Sequence, residues 1–170
     1  MKRIAVAAVL VAGTFAALAQ DKPNPLDVVP EKMPNDIPYG TPITLERAQA
    51  AMNAAVAEAN KRGWKLNVAV VDSGANLVSF ARMDGAQLGS IQIAEHKARA
   101  SVKYRRETKA FEGGVQGGNL YLLSLDDVIA SRGGIPLMDA GRMVGAIGCS
   151  GGTGSQDEVV CRAGAEAVKR

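Results

Sequence analysis

Residues 66–84 contain two strand-like runs, LNVAVVD and LVSFARMD, separated by the four residues Ser-Gly-Ala-Asn. Runs rich in valine, leucine and phenylalanine on either side of a turn that contains Gly and Asn are the pattern of a β-hairpin. The two strands of a hairpin are antiparallel, so any fold for this chain has to contain an antiparallel pair near its middle.

The segments on either side of the hairpin predict helices. Thr44 precedes a run in which apolar side chains recur on one helical face, so we expect it to cap a first helix that ends at Gly63. A second helix is predicted from Ser90 to Arg105. The glycine-rich stretch GGVQGG at 113–118 predicts a loop or a broken helix edge, because glycine in a helix interior costs about 1 kcal/mol.

The C-terminal third adds strands and a last helix. Strands are predicted near 135–138 and at 143–150, and a helix is predicted from about Ser155. Paired strands separated by helical segments, without regular alternation of strand and helix, favour an α+β fold with an antiparallel sheet over a doubly wound parallel one.

Residues 1–19 have the three parts of a secretory signal peptide. Lys2 and Arg3 form a basic start, an uncharged run follows, and an Ala-Leu-Ala motif precedes Gln20. The alternative is an anchoring transmembrane helix, but this apolar run is short for a hydrocarbon core of about 30 Å. We therefore expect cleavage and a periplasmic or secreted protein, with no membrane span after cleavage.

The mature chain then divides into a proline-rich N-terminal arm at 20–41, which holds five of the seven prolines, and a domain at 42–170. Loss of Lys2 and Arg3 lowers the formal net charge from +3 to +1. A nearly neutral exported protein is not expected to bind nucleic acid.

Cys149 and Cys161 are the two cysteines of the chain. Two cysteines in an exported protein predict one intrachain disulfide. The alternative is two buried thiols on opposite faces of a strand and a helix, because cysteines with Cα atoms more than ~7 Å apart cannot be bridged. With one histidine in the chain, a four-ligand zinc site is not expected.

The stretch Gly148-Cys149-Ser150-Gly151-Gly152 matches the G-x-S-x-G pattern of a nucleophile elbow. In hydrolases with that elbow the base histidine follows the serine, whereas the histidine here precedes it, so a serine hydrolase is disfavoured. The same loop has the composition of an anion site built from backbone N–H groups. Ordinary turn chemistry is the favoured interpretation.

Residues 95–109, EHKARASVKYRRETK, place His96 among six of the twenty basic residues. We expect His96 on the flank of the second helix, between its buried face and solvent. An imidazole beside cations that pair with carboxylates suits a ligand that is part apolar and part anionic. The alternative is a solvated helix face without a ligand.

Five runs of the chain together resemble the GlcG/HbpS family of haem-binding and haem-degrading domains, a domain also found at the C-terminus of PduO proteins. In order, these runs are PYGTPITLERAQ, VAVVDSGANLVSFARMDGA, SIQIAEHKARAS, GGIPL and VGAIGCSGGTGSQDE. The resemblance covers about residues 38–168. It implies a profilin-like fold, with an antiparallel five-stranded sheet flanked by helices, and assembly into homo-oligomers; some members are exported and bind haem without covalent attachment.

The resemblance also implies site residues. The axial ligand differs among family members, so His96 and Thr108 are both candidates to coordinate the iron, and Lys97, Arg105 and Arg106 are predicted partners of the haem propionates. The R-P-T motif of the family reads Arg106-Glu107-Thr108 here, so Thr108 matches the threonine expected near the haem although the proline is absent.

Three functions follow as alternatives. The first is an exported, non-covalent haem or tetrapyrrole binder that acts in haem handling or sensing. The second is a small-molecule enzyme, a lyase or an isomerase, that acts on an organic acid with His96 or Asp72 as base. The third is a ligand-free oligomeric interaction module.

Overall fold

The computed structural model describes residues 27–168, so the predicted signal peptide at 1–19 lies outside the described residues. Residues 27–33 belong to a separate unit and are exposed, without α-helix or strand. The second unit begins at Pro34 and holds the domain. Among the described residues, no helix combines the length and the apolar character that a membrane crossing requires.

The helices and strands of residues 34–168 follow the predicted order. They are α1 (Leu45–Lys61), β1 (Asn67–Asp72), β2 (Leu77–Arg82), α2 (Ser90–Lys103), α3 (Lys109–Gln116), a 3₁₀ helix (Leu120–Ser124), β3 (Gly134–Asp139), β4 (Arg142–Ser150) and α4 (Gly154–Glu166).

The strands form one antiparallel sheet in the order β2-β1-β4-β3. This confirms the hairpin and the α+β class, but the prediction of five strands is wrong for the described residues, where the sheet has four. Tyr39 comes closest to a fifth strand through one isolated parallel bridge to Met143. Pro38 and Pro42 flank this bridge and have no N–H group to donate, so the pairing does not extend into a strand.

The central strand β1 is buried on both faces. Val68 and Val70 pack in the cluster that α1 and α4 cover, whereas Ala69 and Val71 pack in the cluster that α2 covers. The helix α2 lies against β4 with no room for a side chain at Gly148, where a Cβ atom would be 2.1 Å from the carbonyl oxygen of Ala94. Close packing of α2 on the sheet therefore fixes which of its residues face inward.

The first helix begins as predicted, because the Oγ1 atom of Thr44 accepts a hydrogen bond from the N–H group of Arg47 at 3.4 Å. The prediction that 113–118 form a loop or broken helix edge is wrong for Gly113 to Gln116, which lie in α3. A Cβ atom on Gly114 would be 2.4 Å from Cδ1 of Leu122. The glycine therefore lets the 3₁₀ helix pack onto α3, and this tertiary contact offsets the poor helix propensity of glycine.

The predicted disulfide is confirmed, because Cys149 at the end of β4 is bonded to Cys161 in α4. Their Cα atoms are 5.6 Å apart and both residues are fully buried. The bond fastens α4 to the sheet.

Candidate functional site

The helix α2 points His96 and Lys97 into different surroundings. Neighbouring residues of an α-helix are rotated by about 100°, and 40% of the His96 side chain is exposed whereas 1% of the Lys97 side chain is. The two predicted site residues therefore do not belong to one site.

His96 is oriented by a carboxylate. Its Nδ1 atom lies 2.8 Å from Oδ1 of Asp127, whose other oxygen accepts a hydrogen bond from Nζ of Lys103 at 2.5 Å. Lys103 also donates to Asp126, and these two hydrogen bonds raise the pKa of Lys103. Asp127 has a φ of 61°, in the left-handed region that aspartate adopts more readily than most residues with a side chain. The backbone is held in this conformation while the carboxylate faces the imidazole.

Lys97 forms an internal ion pair. Its Nζ atom donates to Oδ2 of Asp157 at 2.8 Å and to the carbonyl oxygen of Cys149 at 3.3 Å. Burial raises the pKa of Asp157, although the ammonium group of Lys97 opposes that shift. The charge of Lys97 thus joins α2, β4 and α4, and it does not face an open surface.

Thr108 is also buried, at the start of α3. Its Oγ1 atom accepts a hydrogen bond from the N–H group of Gly134 at 2.9 Å, and its own N–H group donates to the carbonyl oxygen of Gly134 at 3.0 Å. Thr108 therefore connects α3 to the first residue of β3.

A cavity of about 510 Å³ lies at the outer edge of β3, between the segment after α2, the start of α3 and the C-terminal half of α4. We call it the β3 pocket. Its apolar lining consists of Ile37, Ala110, Ile135, Pro136, Met138 and Ala165. Its polar lining consists of Asn35, Arg105, Arg106, Glu107, Arg162 and Glu166. Arg105 and Arg106 are the two predicted site residues that the structure brings together.

Two of the three arginines in the β3 pocket are engaged. Arg162 donates to Glu107 at 2.9 Å and to Glu158 at 3.1 Å. Arg105 donates to the carbonyl oxygen of Ile37 at 3.2 Å. Both guanidinium groups therefore form hydrogen bonds within the protein that connect the segments around the pocket.

Arg106 is less committed. Its Nε atom donates to the carbonyl oxygen of Tyr104 at 3.0 Å, and its guanidinium carbon lies 5.5 Å from the centre of the Phe111 ring. Among residues 27–168, no carboxylate forms a salt bridge with Arg106 and its two terminal nitrogens have no hydrogen-bond partner. These nitrogens are the free donors that a ligand carboxylate requires.

Other residues singled out in the sequence have structural roles. The carboxylate of Asp72 accepts hydrogen bonds from the N–H groups of Gly74 and Asn76, so it stabilises the hairpin turn. In the loop before α4, Thr153 and Gln156 form a capping box. The N–H group of Gly152 donates to Asp157. Backbone N–H groups of the loop therefore donate hydrogen bonds to side chains of the first turn of α4, as ordinary turn chemistry predicts.

Sequence reasoning missed Asp127 and Arg162, as well as the apolar wall of the β3 pocket. Asp127 is 31 positions from His96 along the chain, and no spacing rule connects the two. Arg162 follows Cys161 on α4, and its place in the lining of the β3 pocket depends on how α4 packs. Neither residue has a local pattern that could have revealed its place.

The family model described as "Haem degrading protein HbpS-like" matches residues 43–166. The chain belongs to this HbpS-like family. It is 34% identical to Protein GlcG of Escherichia coli K12 over 108 residues, which are 64% of this chain and 81% of that protein.

Two solved structures share the fold. A double mutant of Streptomyces reticuli HbpS is 31% identical with a TM-score of 0.72, over 84% of this chain and 97% of that one. The structure described as a PduOC:Heme complex is 26% identical with a TM-score of 0.69, over 75% of this chain and 96% of that one. The resemblance seen in the sequence motifs is thus confirmed, and these neighbours support haem binding or handling within the family.

Proposed function

We propose that this protein binds haem, or a closely related carboxylated tetrapyrrole, without a covalent bond, and that the β3 pocket is where it binds. The observation that carries the proposal is that, among residues 27–168, the two terminal nitrogens of Arg106 have no partner and lie at a mainly apolar cavity of about 510 Å³. Ligand sites are typically apolar cavities with a few convergent polar groups.

The residues of the β3 pocket fit the body of such a ligand. Ile135, Pro136 and Ala165 offer apolar contacts to a macrocycle, and Arg106 offers a fork of donors to a propionate. When bound, haem would supply an iron centre capable of redox chemistry or of sensing. Lys97 and Thr108 take no part in this proposal, because both side chains are buried in contacts between elements.

We also propose that the mature protein acts outside the cytoplasm, after removal of residues 1–19. The buried disulfide supports this location, because such bonds persist in oxidising compartments. The mass of protein recovered from the periplasm tests the point: a chain that begins at Gln20 is expected, and a full-length chain in the cytoplasm would contradict it.

The decisive experiment is an absorbance titration of the mature protein with haemin. We expect a saturable Soret band at one haem per chain. Arg106→Gln should weaken the affinity about 10- to 100-fold, because a hydrogen bond to a charged group contributes about 1.5–3 kcal/mol. Arg62→Gln is the matched control, since Arg62 lies at the end of α1 and contacts Trp64 and Glu58.

Titration with small carboxylates under the same conditions distinguishes the alternative enzyme function from haem binding. Saturable binding of a small carboxylate that depends on Arg106, without any Soret band, would favour an organic-acid ligand over haem. The absence of both would leave the interaction module, and the proposed function would be wrong.

A further inference from the structure

The lining of the β3 pocket lacks the side chains that ordinarily coordinate haem iron. Protein ligands of haem iron are histidine, cysteine thiolate, tyrosine and methionine. Within the described range 27–168, the lining includes no histidine, cysteine or tyrosine, and its one sulfur atom is the thioether of Met138. The pocket therefore fits the periphery of a tetrapyrrole and does not fit a metal at its centre.

Met138 is a poor replacement for the missing ligands. A neutral thioether is a soft ligand that is better matched to copper(I), and in haem proteins it is paired with a histidine. The Met138 side chain packs, like that of Ile37, against the apolar cluster that α2 covers. Met138 thus belongs to the apolar wall of the pocket.

The charged residues of the lining favour an anionic ligand. Three are arginines and two are glutamates, Glu107 and Glu166. Glu107 accepts a hydrogen bond from Arg162 at 2.9 Å, and Arg105 lies 3.5 Å from Asp36. Arg106 is thus the arginine of the lining without an acidic partner in the part of the chain that the structure describes, and it can pair with a carboxylate of the ligand.

Ser101 holds the backbone of Arg106 in place. The N–H group of Arg106 donates to the carbonyl oxygen of Ser101 at 3.1 Å, and the Oγ atom of Ser101 donates to the carbonyl oxygen of Arg106 at 2.9 Å. Ser101 is itself fully buried in α2. Arg106 therefore presents its terminal nitrogens from a fixed backbone position, which lowers the entropic cost of binding a carboxylate.

We infer that the β3 pocket binds the carboxylated macrocycle of a tetrapyrrole and forms no bond to its metal. A metal-free tetrapyrrole, such as protoporphyrin, is then a ligand of this site in its own right. The inference rests on the proposed function, because it concerns the same pocket, and it specifies the class of ligand. Apolar contacts with Ile135 and Pro136 and a hydrogen bond from Arg106 to a propionate do not depend on a metal.

Parallel titrations of the mature protein with haemin and with metal-free protoporphyrin test the inference. Absorbance follows the first titration and porphyrin fluorescence follows the second. We expect both to saturate at one ligand per chain, with dissociation constants that agree within about threefold, because neither complex contains a bond from the protein to a metal. Arg106→Gln should weaken the binding of both ligands by the same factor, about 10- to 100-fold.

Met138→Leu tests directly whether the thioether coordinates iron. Leucine and methionine have similar volumes, so the apolar wall is kept while the sulfur atom is removed. We expect this variant to change both dissociation constants by the same factor and to leave the Soret band of bound haem at its wild-type wavelength. Circular dichroism should show that this variant and Arg106→Gln are folded.

The outcomes separate this inference from the proposed function. If neither ligand saturates, both fail. If haemin binds more than about tenfold more tightly than protoporphyrin, or if Met138→Leu shifts the Soret band, the protein engages the metal and the inference alone is overturned. Binding of protoporphyrin without binding of haemin would support the inference and remove haem from the proposed function.

Discussion

An ion pair and a histidine–carboxylate contact begin at neighbouring residues of α2 and have opposite surroundings. Lys97 and Asp157 expose 1% and 3% of their side chains, whereas His96 and Asp127 expose 40% and 10%. The first pair is enclosed by the sheet and α4, and the second lies at the surface. Neighbouring residues of α2 therefore differ in role. The buried charge of Lys97 connects elements of the fold, whereas the imidazole of His96 is accessible from solvent.

The largest effect is expected at the buried pair. Lys97→Met leaves the carboxylate of Asp157 buried without a counter-charge, and we expect a loss of about 3–5 kcal/mol in the free energy of unfolding at neutral pH. This loss of stability should be smaller in acid. Burial raises the pKa of Asp157 in the folded state, so the folded variant binds a proton at a pH where the unfolded chain does not. Protonation removes the unpaired buried charge and therefore stabilises the folded variant. Urea denaturation at pH 7 and at pH 5 measures both effects.

The double variant Lys97→Met, Asp157→Leu is the control for this prediction. It removes both charges and should recover most of the stability, because apolar residues of similar volume replace buried ion pairs well. A single variant as stable as wild type would mean that the pair contributes nothing to the fold.

The second largest effect on stability is expected from loss of the disulfide. Replacing Cys149 and Cys161 by Ala opens a loop with a sequence separation of 12, which should cost about 3 kcal/mol on the chain-entropy model. Because the carbonyl oxygen of Cys149 accepts a hydrogen bond from Lys97, this change and Lys97→Met should not be additive. A double-mutant cycle in urea tests the coupling; strict additivity would show that the bond and the ion pair act independently.

The mean side-chain exposure of the ion pair between Glu112 and Arg132 lies between those of the two pairs on α2. This pair tests how the contribution of such a pair to stability depends on burial. Hydrogen bonds from Arg132 lower the pKa of Glu112 below 4.5, and the Glu112 side chain is 19% exposed. The ionised Glu112 therefore stabilises the folded state above pH 4.5, and this stabilisation is lost as the pH falls through the lowered pKa. Glu112→Gln should cost up to about 1 kcal/mol at pH 7 and less below pH 4.

Thermal unfolding between pH 3 and pH 7 measures this contribution. Glu46→Gln is the matched control, because the carboxylate of Glu46 forms no salt bridge within residues 27–168. Equal pH profiles for Glu112→Gln and the control would contradict the expected role of Arg132.

The fold was predictable where patterns are local. The turn at Gly74 and Asn76, the cap at Thr44 and the two cysteines each predict one contact correctly, because the residues involved are close in sequence or chemically unique. Gly114 shows where this reasoning fails. Its place in α3 depends on Leu122 of another element, and that contact cannot be read from helix propensity.

The site was predictable in part, and for a similar reason. Arg105 and Arg106 were named from the cluster of basic residues, and both line the β3 pocket just beyond the end of α2. Lys97 and His96 are adjacent too, but the rotation of the helix separates them, and only the close packing of α2 on Gly148 decides which one is buried. Asp127 lies on a distant segment and was not predictable from spacing.

The smallest effect on stability is expected at the exposed pair. His96→Ala removes the contact of Asp127 with the imidazole but leaves its hydrogen bond from Lys103. Even exposed pairs of opposite charge contribute only about 0.2–1 kcal/mol, so loss of this contact should lower the free energy of unfolding by less than about 1 kcal/mol. Urea denaturation of the ligand-free protein, beside Lys97→Met, gives the direct contrast between neighbouring residues. A loss as large as that of Lys97→Met would place His96 among the residues that hold the fold, and its exposure would then have no consequence for ligand binding.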